Sequence, residues 1–183
     1  MEKIELKKII PQWKVKSKVG QLGRKIAKDY KDKNPILVGI LKGSFVFLSD
    51  LMRQIKIPHE VDFISVASYG SEKKASGVVR LLKDLSSNIE GRDVIIVEDI
   101  VDTGLTLNYI RQNLLTRKPK SLEIVTLLDK KKRRKAKIPI KYIGFRIANN
   151  FVVGYGLDYN ENYRNLPYIA KMDEKNRKPG EII

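Results

Sequence analysis

The 183-residue sequence has no cysteine, one histidine and one tryptophan. Without cysteine there is no disulfide framework, cysteine nucleophile or thiolate zinc site. The lone His59 excludes a multi-histidine metal centre, although a catalytic triad formally needs only one. No apolar run approaches the roughly 18–20 residues that cross a bilayer as a helix. The opening stretch MEKIELKKII alternates charge with hydrophobe and lacks a signal-peptide core. No membrane association is expected, and a reducing cytoplasm is the default location. Internal repeats and Pro/Gly/Ser-rich linkers are also missing, so residues 1–183 read as a single domain.

Positive charge is plentiful. The formal net charge is +16, and 42% hydrophobic with 32% charged residues suits a globular chain with a sizeable core. The excess first points to nucleic acid or another polyanion. Its distribution complicates that reading: residues 1–57 carry +9, residues 58–129 carry −2 and residues 130–183 carry +9. Bulk charge therefore does not explain the middle of the chain, and no specific nucleic-acid partner is expected.

Periodicity divides the chain into alternating strands and helices. Val15, Val19, Leu22, Ile26 and Tyr30 recur at helical spacing after Pro11, although Gly20 and Gly23 weaken that helix. The run 36–41 reads as a buried strand, followed by a helix capped by Ser44 that buries Phe47, Leu48, Leu51 and Ile55. Strands are predicted at 61–67, 78–82, 94–97, 124–128, 142–147 and 151–153, with a helix through Leu107, Ile110, Leu114 and Leu115. Residues 68–77, polar and bracketed by glycines, read as a loop. This alternation predicts an α/β fold with a mostly parallel central sheet flanked by helices.

The most informative stretch is VIIVEDIVDTGLTL, residues 94–107. A buried strand ends in Glu98 and Asp99, then Asp102 leads a turn of Thr103, Gly104 and Thr106 into a helix. Ligands of open α/β sheets sit beyond the carboxyl ends of strands. A glycine turn at a helix N-terminus presents free N–H groups to a phosphate, and carboxylates accept from sugar hydroxyls or hold a divalent cation. Together these point to a phosphorylated sugar. The plainer reading is helix capping, with Asp102 as an N-cap.

The ordered pattern of four apolar residues, Glu-Asp, two residues, Asp-Thr-Gly, one residue and Thr resembles the phosphoribosyl-pyrophosphate (PRPP) signature of the type I phosphoribosyltransferases. The resemblance extends over residues 35–169. Leu41-Lys42-Gly43-Ser44 resembles the pyrophosphate loop of the hypoxanthine-guanine branch and is not a Walker A loop. Ser68-Tyr69-Gly70 resembles its closing loop, and Lys130 falls where that branch keeps a purine-reading lysine. FVVGYGLDYNE, from Phe151 to Glu161, resembles its purine pocket and metal site, with Arg164 six residues past Asp158.

The resemblance implies that fold, with a small hood formed by the chain-terminal segments, and a salvage reaction joining PRPP to hypoxanthine or guanine. Asp102 would be the general base facing N7 of the purine. Glu98 and Asp99 would hold the ribose hydroxyls, and the turn from Asp102 through Thr103, Gly104, Leu105 and Thr106 would cradle the 5′-phosphate. Lys42, Gly43 and Arg164 would bind pyrophosphate, with a non-proline cis peptide between Leu41 and Lys42. Lys130, Phe151, Val152 and Asp158 would contact the purine, Lys130 by donating to O6 and Phe151 by stacking. Asp158 would hold Mg2+, with Glu98 and Asp99 as further candidates. Ser68 and Tyr69 would close over the site. A homo-oligomer, dimer or tetramer, is also implied.

Which lysine reads the base stays open, since Lys130 begins a run of seven basic residues in the eight positions 130–137. Two rivals compete: a pyrimidine-operon regulator with uracil phosphoribosyltransferase activity that binds RNA, and a non-catalytic basic RNA-binding module. The order Glu98, Asp99, Asp102 and the purine-pocket block weigh against the first, and the intact acidic and phosphate-loop set against the second. His59 reads as a surface turn residue, and Trp13 as packing for the N-terminal segment. Gly154-Tyr155-Gly156 is followed by Tyr159 where a dinucleotide fingerprint needs glycine.

Overall fold

A computed structural model describes residues 5–68 and 79–172. Its main sheet has six strands: β2 (Ile36–Leu41), β3 (Glu60–Ser68), β4 (Val79–Lys83), β5 (Asp93–Val101), β6 (Ser121–Asp129) and β7 (Tyr142–Arg146). Their order is β4-β3-β2-β5-β6-β7. All neighbouring pairs are parallel except β3 with β4, as the alternation predicted. Helices α1 (Gln12–Asp29) and α2 (Phe45–Gln54) cover one face and α3 (Leu105–Leu115) the other.

Strand side chains alternate between these faces. Leu37, Ile95 and Val97 join Val15, Ile26 and Phe47 on the α1/α2 side, while Val38, Ile96 and Ile124 join Leu107 and Ile110 on the α3 side. Being covered on both faces is why the central strands are nearly continuous Val/Ile/Leu runs. Each such side chain contributes roughly 1.5–3 kcal/mol on full burial.

A second, antiparallel sheet joins β1 (Leu6–Ile10), β9 (Ile169–Met172) and β8 (Val152–Val153) in the order β1-β9-β8. Leu6 pairs with Met172 and Val153 with Ala170. The two chain-terminal regions thus form the hood. The predicted strand at 151–153 lies here, outside the main sheet.

Two local expectations fail. Ser44 occupies the N-cap position of α2, but its hydroxyl donates back to the Ile40 carbonyl at 2.7 Å and forms no cap bond. Trp13 is 66% exposed, with the Lys14 ammonium 5.3 Å from its ring centre, so it does not pack the N-terminal segment. His59 lies half-buried in the irregular segment between α2 and β3, its Nδ1–H donating to Ile57 O at 2.8 Å. No helix among the described residues is long and apolar enough to cross a membrane.

Candidate active site

Chain order reverses between β2 and β5: α2 leads from β2 to β3 on one side, and α3 leads from β5 to β6 on the other. Such a switch point opens a crevice at the carboxyl ends of the strands. Because β2, β5 and β6 are parallel, the residues just beyond them, Lys42, Asp102 and Lys130, emerge at the same edge. They line one cavity of about 320 Å³ with Gly43, Glu98, Asp99, Thr103, Gly104, Thr106, Val152, Asp158 and Arg164. The structure therefore brings together most of the residues predicted from sequence.

Two predicted residues stand apart from this wall. Phe151 packs edge-on to Tyr159, ring centres 5.8 Å apart, within the hood's own apolar cluster. Leu105 is 48% exposed at the start of α3. Ser68 ends β3; Tyr69 and the rest of the predicted closing loop lie outside the described residues.

Two glycines shape the cavity. Gly104 precedes α3 with φ of +78°, a left-handed conformation that glycine adopts without steric penalty. Gly43 lies against Asp99 so closely that a Cβ there would overlap the carboxylate. The Leu41–Lys42 peptide is cis, as the resemblance implied.

The acidic residues are held in two different ways. Asp99 is buried and accepts the Ile100 N–H at 2.9 Å. Burial pushes its carboxyl up to about 6, with Asp158 adding to the rise and backbone N–H groups and Arg164 opposing it. Burial, with Asp99 alongside, raises Glu98 well above the ordinary carboxylate range. Among the described residues neither forms an ion pair. Two carboxyl groups so close together, with no cation paired to them, resist ionising together.

Asp102 faces two cations instead, although its Oδ1 takes no hydrogen bond among the described residues. Lys130 Nζ donates to its Oδ2 at 3.1 Å, and Arg133 Nε lies 2.8 Å from its Oδ1. The α3 N-cap is Gly104, so the plainer reading of Asp102 as a helix cap fails. Lys130 is 4% exposed, whereas Lys131 and Lys132 are exposed. Burial thus picks out Lys130 from the basic run.

On the opposite wall, Arg164 donates to Gly156 O at 2.7 Å and pairs with Asp158 at 2.9 Å and Glu161 at 3.1 Å. Glu161 also accepts from Lys42 Nζ at 2.9 Å, tying the β2 loop to the hood segment. Sequence reasoning missed Glu161 and Arg133. For Arg133 a signal existed: it lies three residues past Lys130, and Lys131–Arg133 form a 3-10 turn, in which residues i and i+3 eclipse.

These features match known proteins. The model of the phosphoribosyl transferase domain family matches residues 7–160. The hypoxanthine-guanine phosphoribosyltransferase of Dictyostelium discoideum is 51% identical over 171 residues, covering 91% of this chain and 95% of that protein. The hypoxanthine phosphoribosyltransferase of Salmonella typhimurium is 49% identical over 166 residues, covering 90% and 93%. A crystal structure of a Bacillus anthracis hypoxanthine-guanine phosphoribosyltransferase is 45% identical and superposes with a TM-score of 0.88, covering 92% of this chain and 99% of that one. On the fold, the signature and these likenesses together, the chain belongs to the phosphoribosyl transferase domain family.

Proposed function

We propose that this protein is a purine-salvage enzyme that transfers the 5-phosphoribosyl group of PRPP to hypoxanthine, guanine or both, releasing pyrophosphate. The observation that carries this reading is the Lys130–Asp102 pair, 3.1 Å apart at the cavity wall. It presents one donor beside one acceptor, the complement of a 6-oxopurine edge with an O6 acceptor and an N7–H donor. Adenine would set its amino group against the Lys130 ammonium, and a buried donor facing a donor is heavily penalised. The relatives' names support the same substrate class.

In the reaction, N9 of the purine forms a bond to C1 of the ribose, the bond from C1 to the pyrophosphate oxygen breaks, and the N7 proton passes to Asp102. We assign Glu98 and Asp99 to the ribose hydroxyls. The turn from Asp102 to Thr106, with Leu105 contributing its backbone, is assigned to the 5′-phosphate; left-handed Gly104 at the start of α3 supports this. Lys42, Gly43 and Arg164 are assigned to pyrophosphate and Val152 to the purine. Phe151 would reach the purine only from its place against Tyr159. Ser68 and Tyr69 remain our candidates for closing the site.

Asp158 fits a magnesium ion: it offers hard oxygen donors on the cavity wall beside Arg164. Magnesium usually takes one or two carboxylates and completes its shell with substrate phosphates and water. Glu98 and Asp99 are the further donors we assign. Bound there, magnesium would neutralise charge on the departing pyrophosphate; orientation and proton acceptance remain with Lys130 and Asp102.

The test is a direct assay with magnesium, PRPP and each of hypoxanthine, guanine, xanthine, adenine and uracil. Turnover with hypoxanthine or guanine, and none with adenine or uracil, is the expected result. Turnover with uracil alone would overturn the reading.

A further inference from the structure

We propose that Arg133 is a positioning residue, holding the Asp102 carboxylate so that it cannot close onto Lys130. The inference rests on the purine-transfer reading above. Lys130 and Asp102 must face the purine together, yet as opposite charges they attract each other. The ammonium is 4% exposed and the Asp102 side chain 28%, so little water screens them. Left alone, the carboxylate would rotate to engage the ammonium with both oxygens and turn the donor–acceptor pair away from the base.

The geometry opposes that collapse. Arg133 Nε forms an ion pair with Oδ1 at 2.8 Å, an oxygen that takes no hydrogen bond among the described residues, while Lys130 takes only Oδ2. The guanidinium is anchored in turn, its Nη1 donating to Asn149 Oδ1 at 3.2 Å. One planar fork thus spans two partners, which a lysine's single ammonium does not do in the same way. The backbone beneath is fixed as well: Lys130 N–H donates to Val101 O at 2.9 Å, and the N–H groups of Lys135 and Ala136 donate to Thr103 O at 2.9 and 3.2 Å. Part of the basic run is therefore a brace against the acidic turn rather than a solvated surface.

A purely structural brace would also support the phosphate turn, so the test must separate the two roles. Arg133→Ala, Asp102→Asn and the double variant are assayed for kcat and for the KM of hypoxanthine and of PRPP. Misplacing a reacting group by about 1 Å costs up to ~100-fold, so Arg133→Ala is expected to lower kcat/KM for hypoxanthine by about 10- to 100-fold. The KM for PRPP should stay within about twofold, and Arg133→Lys should recover part of the loss. In the Asp102→Asn background the further effect of Arg133→Ala should be under about twofold, because residues acting through one group are not additive.

Multiplicative losses in the double variant, or a PRPP KM rising in step, would overturn the proposal. If Arg133→Ala does not fold, the same cycle with Arg133→Lys decides it. Wild-type protein that fails to convert any 6-oxopurine would reject the underlying function. Active wild type matched by Arg133→Ala would reject only the role of Arg133.

Discussion

The end of β5 and the turn that follows it carry the same kind of side chain in opposite states. Glu98 and Asp99 are raised above the carboxylate range and have no ion-pair partner among the described residues. Asp102, only three positions further on, is flanked by Lys130 and Arg133. Carboxylates without a partner have unspent capacity for a ligand's hydroxyls or cation. A carboxylate hydrogen-bonded on one oxygen and ion-paired on the other is already oriented and has one oxygen left for a proton donor. Under the proposed function this difference would separate holding the sugar from handling the proton, and burial and surrounding charge rather than residue type set it.

The largest effect should come from the gripped side. Asp102→Asn keeps the shape but removes the proton acceptor, and should lower kcat by about 10²–10⁴-fold, the usual weight of a general base. Steady-state turnover with hypoxanthine checks this; unchanged turnover would remove Asp102 from that role.

A smaller effect is expected on the unpaired side. Glu98→Gln retains hydrogen-bonding atoms but weakens acceptance from ribose hydroxyls, and should raise the PRPP KM by roughly fivefold, given about 0.5–1.5 kcal/mol for an ordinary hydrogen bond. The KM for hypoxanthine should move much less.

The smallest effect is on stability, where the signs differ. Asp99 has a native value raised to about 6, so the folded state binds more protons than the unfolded state between about pH 4 and 6 and loses stability as pH rises through that window. Asp99→Asn should therefore raise Tm by a few degrees above pH 6, a gain that fades toward pH 4. Asp62 is the converse case. Burial raises it, but N–H groups of Ser87, Phe63 and Ser86, with Lys83, outweigh that and leave it lowered. Its stabilisation is full above the unfolded value of about 4 and is lost as pH falls through the native one. Asp62→Ala should thus lower Tm at pH 7, and the gap from wild type should close in acid. Thermal melts from pH 3 to 8 check both.

Much of this was legible in the sequence because its signals are local. The run 36–41 and the spacing of Val15, Val19, Leu22 and Ile26 report burial directly, and both elements form as predicted. The glycine turn before α3 and the acidic strand end lie within nine residues of each other, so order alone exposed them. The hood was harder. In β1, Leu6 pairs with Met172, and neither short, lysine-interrupted segment carries a periodicity that announces the other. Phe151, read as a purine-stacking ring, lies edge-on to Tyr159 in the hood's apolar cluster, a contact that no local pattern announces. Arg133 looked like any other cation in 130–137, because its distinction is a partner 31 positions earlier.

The division between the two acidic sites is tested most directly by measuring, for Asp102→Asn and Glu98→Gln side by side, the dissociation constant for PRPP with magnesium and the single-turnover rate at saturating hypoxanthine. The predicted result is a crossed pattern: Asp102→Asn binds PRPP like wild type but turns over at least about 100-fold more slowly, while Glu98→Gln binds PRPP more weakly and reacts, once saturated, at a rate much closer to wild type. Equal losses of binding and rate in both variants would contradict it.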